Sequence, residues 1–119
     1  MTSRPLSLIL VALAALLFAD GALAAGSKAD AASGAVLYRD RGCARCHGAR
    51  GEGTLKAPAL VNIRKNKMWA PEKITQQIQN GGQKMPPFGD SLSDAEVAQI
   101  VTFLRSKHWP AAVQAAPSN

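Results

Sequence analysis

Only two cysteines occur in the 119 residues, Cys43 and Cys46, and only two residues separate them. The stabilisation a disulfide lends a small chain grows with the loop it closes, and a bridge between such near neighbours closes almost none. The usual staple of small exported domains is therefore missing. The composition still demands a packed globule: 47% of residues are hydrophobic and 18% charged, too apolar for a disordered polyelectrolyte. The ten glycines and seven prolines follow no collagen period. Bulky side chains to fill a core are scarce, since past Phe18 the aromatics are Tyr38, Trp69, Phe88, Phe103 and Trp109. One small domain so poor in large residues calls for a metal or cofactor to complete its interior.

The first residues are a segment of another kind. Arg4 precedes an uncharged run over residues 6–18, Asp20 follows, and Ala22-Leu23-Ala24 puts small residues at the two positions a signal peptidase admits. This order predicts an export signal over residues 1–24, cleaved after Ala24. The competing reading, an uncleaved anchor, would leave Asp20 inside the bilayer, where it is costly. Arg4 and Asp20 cancel, so the mature chain keeps the net charge of +6. No later stretch is long and apolar enough to span a membrane.

Residues 25–33, small and polar, read as a flexible leader, residues 34–110 as the one domain, and residues 111–119 as a flexible tail. A short helix is predicted over 31–41, with Val36, Leu37 and Tyr38 as its apolar side. Residues 42–48, with Gly51 and Gly53, read as turn and loop, and residues 59–64 hold one or two helical turns. A firmer helix covers 71–80: Pro71 suits its first turn, Ile74 and Ile78 form a buried stripe, and Gly81-Gly82 ends it. The last helix carries the strongest signals. Ser93 and Glu96 make a capping box, and Leu92 and Val97 are placed as a hydrophobic staple. Val97, Ile100, Val101 and Leu104 recur at i, i+3, i+4 and i+7 beside Phe103, and Pro110 ends the run. No stretch alternates with the period of a strand, so the fold class is all-α with long loops.

Cys43-Ala44-Arg45-Cys46-His47 is a C-x-x-C-H run, the pattern of covalent haem attachment. Two residues between the thiols let both sulfurs bond the two vinyl groups on one porphyrin edge, and the adjacent imidazole reaches the iron. Thioethers retain a haem that water would otherwise extract, which suits an exported protein. Three other readings compete. A zinc site needs two more ligands, and the other histidine, His108, has no cysteine near it. A thiol–disulfide redox motif would follow a strand in a βαβ unit, which this chain lacks. A plain structural disulfide is the third.

With haem bound, the sixth position at iron decides between electron carriage and chemistry at the metal. Met85 lies in Gly81-Gly82-Gln83-Lys84-Met85-Pro86-Pro87-Phe88, where glycines permit a sharp approach and prolines stiffen the loop. Met68, in Lys67-Met68-Trp69, lacks such a frame and reads as packing. His108 would give a bis-imidazole site, but its place near the exposed end of the last helix reads as surface.

With the C-x-x-C-H near the N-terminus, the Met-Pro far downstream and the closing amphipathic helix, the chain over residues 34–106 resembles the class I cytochromes c. The resemblance implies the cytochrome c fold, three to four helices with long loops around one covalently bound haem. It implies thioethers from Cys43 and Cys46, His47 as proximal ligand and Met85 as distal ligand. Pro58 matches the family's proline whose carbonyl accepts the other imidazole N–H. Gly34 and Tyr38 would meet Ile100 and Phe103 where the first and last helices cross, and Trp69 would donate to a haem propionate.

The function so implied is single-electron carriage in the periplasm between redox partners, and not enzymatic catalysis. The alternatives are a haem enzyme or a gas or peroxide sensor with a labile distal Met85, and a cytochrome subunit of a periplasmic dehydrogenase. A charge of +6 could suit nucleic acid, but an exported haem protein has no access to it. Arg41, Arg45 and Arg50 surround the motif and Lys84 precedes Met85, which points to a partner with an acidic docking surface.

Overall fold

The computed structural model describes residues 26–107 and 109. The segments read as export signal and tail, with Pro110 and His108, lie outside them. Among the described residues four α-helices follow in order: α1 (Lys28–Asp40), α2 (Cys43–His47), α3 (Pro71–Asn80) and α4 (Asp94–Arg105), with a 3-10 turn at Ile63–Lys65. The described residues contain no strand, as the absence of alternation predicts.

α1 begins at Lys28, inside the segment read as a leader. The cause is local: Ser27 Oγ accepts from the Asp30 N–H at 3.1 Å, and Asp30 Oδ2 accepts from the Ser27 N–H at 3.0 Å, a reciprocal capping box. Its buried face is Gly34, Ala35 and Tyr38, whereas Val36 is exposed, contrary to the sequence reading. The reason is the crossing with α4. A Cβ built at Gly34 would overlap the Gln99 carbonyl and lie 2.8 Å from Phe103 Cβ, so only glycine lets the two backbones approach this closely.

α4 carries the capping box predicted for it, with the Glu96 N–H on Ser93 Oγ at 3.2 Å and the Ser93 N–H on Glu96 Oε2 at 2.8 Å. Leu92, Val97, Ile100, Val101, Phe103 and Leu104 are all buried. The helix stops at Arg105, ahead of Pro110, because Ser106 is already extended and its hydroxyl bonds back to the Phe103 carbonyl at 2.7 Å. α3 has the predicted bounds and buries Ile74 and Ile78 against α4. Of the turns expected over 59–64, only the 3-10 turn forms. The core runs along the α1–α4 crossing and out to α3.

Candidate functional site

The C-x-x-C-H run, read as loop, forms α2. Positions i, i+3 and i+4 share a helix face, so Cys43, Cys46 and His47 lie on one side while Arg45 is exposed. All three line a cavity of about 780 Å³. Its other walls come from Pro58, Leu60, Ile63, Asn66 and Trp69, from Ile74, Gln77 and Ile78 of α3, from Met85 and Phe88, and from Leu104 of α4. Leu60, Ile63, Trp69, Met85 and Phe88 also pack against the buried core, so the cavity continues the core.

His47 Nδ1 lies 2.8 Å from the Pro58 carbonyl oxygen. That oxygen can only accept, so Nδ1 carries the proton and Nε2 keeps the free lone pair. The backbone around the imidazole is tied as well: the Gly53 N–H donates to the His47 carbonyl at 2.8 Å, and the Thr54 hydroxyl donates to the Cys46 carbonyl. Burial pushes the Cys43 thiol above its ordinary value, the opposite of the lowered thiol that disulfide exchange uses. Among the described residues no group of three or more His, Cys, Asp or Glu side chains is placed to hold a metal ion.

Met85 is delivered by the loop after α3. Gly81 ends that helix at φ +69°, and a Cβ there would lie 2.7 Å from Pro87 N. The Gly82 N–H closes the loop on the Met85 carbonyl at 2.8 Å. The Phe88 and Gly89 N–H groups return it to the Ile78 and Gln79 carbonyls, each at 3.0 Å. Sequence reasoning missed Gln77, whose Nε2 donates to the Gly81 carbonyl at 3.0 Å and reaches Met85 Sδ at 3.9 Å. The signal was available: 74, 77 and 78 share one helix face, and Gln77 is the polar residue in that apolar stripe.

Met68 is 73% exposed and so does not pack, contrary to its sequence reading. Trp69 lines the cavity. The Lys73 ammonium sits 5.7 Å from its ring centroid, and the Arg105 guanidinium donates to its carbonyl at 2.9 Å. Of the basic residues singled out around the motif, Arg41 is paired with Glu96 at 2.9 Å, and Arg45 and Arg50 do not line the cavity. Lys84 does, joined by Lys56, which the sequence did not single out.

Two thiols on one helix face, an imidazole with a free Nε2, a thioether from a separate loop and a largely apolar lining form a donor set suited to a covalently attached haem. Residues 29–104 match the family described as Cytochrome C oxidase, cbb3-type, subunit III. Cytochrome c6 of Synechococcus sp. (strain ATCC 27167 / PCC 6312) is 35% identical over 89 residues, covering 68% of this chain and 76% of that protein. Cytochrome c-555 of Methylococcus capsulatus is 32% identical over 113 residues, covering 90% and 89%. The chloroplastic cytochrome c6 of Chlamydomonas reinhardtii is 34% identical over 105 residues, covering 84% and 69%. No solved structure matches the chain significantly. The helical fold, the C-x-x-C-H cavity and these relatives together make the chain a member of the cytochrome c family, of the small class I monohaem type with one covalently bound haem c.

Proposed function

We propose that this cytochrome is a periplasmic single-electron carrier in which Cys43 and Cys46 hold the haem and His47 and Met85 are its axial ligands. The observation that carries the reading is the convergence of those four side chains on one largely apolar cavity. The haem supplies reversible one-electron exchange at iron. The rest of the work falls to the chain. The Pro58 carbonyl fixes the His47 ring and raises its basicity. The Met85 thioether is a soft donor that favours the reduced metal, and the apolar lining disfavours added positive charge, so both raise the potential. Because hydrogen bonds frame both side chains, neither has to move as the electron comes and goes.

A Met85 in place also closes the iron to substrates, which favours carriage over catalysis. Lys56 and Lys84 border the cavity and suit a redox partner with an acidic docking surface. Residues 1–24 serve as the export signal, and among the described residues no helix is long and apolar enough to cross a membrane. The family's description names an oxidase subunit, which favours a second arrangement, the same site held permanently in a larger complex. Size exclusion of native extract with haem detection separates the two.

The function itself is tested by voltammetry and by carbon monoxide. The expected result is one reversible one-electron couple and a ferrous spectrum that carbon monoxide leaves unchanged. Ready carbon monoxide binding or peroxide turnover by the unaltered protein would replace the carrier with an enzyme or sensor.

A further inference from the structure

Trp109, beyond the end of α4, packs with two core aromatics. Its ring centroid lies 4.4 Å from that of Phe103 and 5.5 Å from that of Tyr38. The indole also covers Gly51: a Cβ built there, at φ +64°, would overlap the six-membered ring and lie 2.9 Å from its Cζ2. Gly51 is the base of the loop that carries Pro58. Its carbonyl accepts the Leu60 N–H at 2.7 Å and the Val61 N–H at 3.1 Å, joining the two ends of the loop. On the other side of the cluster, the Tyr38 hydroxyl donates to the Gly48 carbonyl at 2.8 Å, directly after His47. Burial raises the Tyr38 phenol above its ordinary value, so it stays a donor.

We infer that Trp109 is a positioning residue: its ring clamps Gly51 and, through the loop over residues 51–61, keeps the Pro58 carbonyl on His47 Nδ1. The clamp works by shape. Trp109 Nε1 is buried without a hydrogen-bond partner among the described residues, so the indole N–H contributes nothing there that a phenyl ring would lack. The assignment rests on His47 as an axial ligand, since it is the ligand's orientation and basicity that the Pro58 contact sets.

The test uses the holoprotein and two readouts, the exchange rate of the His47 Nδ1 proton by NMR and the reduction potential. Trp109→Ala should speed exchange about tenfold or more, as the loop opens locally. It should also raise the potential, because an imidazole without its acceptor is a weaker base and favours the oxidised iron less. Trp109→Phe should leave both readouts at the wild-type value. Val97→Ala, a core change in the first turn of α4 away from the cavity lining, should lower the melting temperature and move neither readout. If Trp109→Ala yields no holoprotein, Trp109→Leu is read the same way. Wild-type exchange and potential in the truncated variant, with only a lower melting temperature, would reduce Trp109 to ordinary packing and overturn the inference alone. A ferric protein whose His47 resonances lack paramagnetic shifts would overturn the ligation reading and the inference with it.

Discussion

The cavity wall that carries His47 is tied at several points, by α2, by the Pro58 carbonyl and by backbone bonds to Cys46 and His47, with Trp109 behind its loop. The wall that carries Met85 is a loop closed on itself through Gly82 and on the end of α3 through Phe88 and Gly89. The two walls ask different things of the sequence. A helix face with three reactive groups at i, i+3 and i+4 presents them together wherever the helix lies. A thioether binds iron weakly, so its loop must bring it in and hold it, and Gly81 is the residue that lets the chain turn tightly enough. On the ligation proposed above, lability in this protein belongs to the Met85 wall.

The largest expected effect separates the walls outright. Changing Cys43 and Cys46 together to Ala should abolish haem that survives denaturing electrophoresis and leave the chain largely unfolded by circular dichroism, because the sparse aromatics cannot replace the group as a core. Met85→Ala should keep the haem and the fold, lower the potential and admit carbon monoxide, while Met68→Ala, altering an exposed side chain, leaves the spectrum unchanged. Native helicity in the double cysteine variant, or ligand entry on changing Met68 instead of Met85, would break the comparison.

A smaller effect sharpens it. With Met85 as the proposed ligand, the Gln77 amide, 3.9 Å from Met85 Sδ, would withdraw electron density from the sulfur and so favour the reduced metal. Gln77→Leu should lower the potential by a few tens of millivolts, the scale of one hydrogen bond differing between oxidation states. No shift by voltammetry would show the amide to be serving only the Gly81 carbonyl.

The smallest effect bears on both walls alike. Asp30 and Glu96 are held below their ordinary values of 3.8 and 4.5, chiefly by the backbone N–H groups of Ser27 and Ser93. Lowered carboxyls stabilise the fold fully above those ordinary values, and the contribution is lost as pH falls through the lower, folded-state values. Thermal unfolding followed downward from pH 6 should show that loss, and Asp30→Asn together with Glu96→Gln, which remove the titrating carboxyls, should flatten it.

What could be read from the sequence follows the range of the forces. α4 announces itself because Ser93, Glu96, Leu92 and Val97 act on one another within a few residues, and α3 likewise through Pro71, Ile74 and Ile78. The Ser27–Asp30 box is equally local, but its small, polar neighbours resemble a linker. α2 was not legible as a helix. Five residues between glycines cannot sustain one alone, and this one stands because its side chains line the cavity and pack on α1. Trp109 on Gly51 is beyond sequence reading for a plainer reason: nothing local links residues so far apart in the chain. The candidate ligands were visible as a motif, whereas Gln77 and Lys56 took their places at the cavity only once α3 and the long loop were positioned.

The crossing of α1 and α4 at Gly34 also bears on how the site would be loaded. The thiols of Cys43 and Cys46 are half-buried in the folded domain, beneath walls that α3 and α4 complete. A chain delivered from its N-terminus presents those thiols well before Phe103 is available to close against Gly34 and Tyr38. On the proposed attachment, maturation would run on the open chain, with the haem joined to Cys43 and Cys46 before α2 is formed and the C-terminal helix arriving afterwards as the closure over a loaded site.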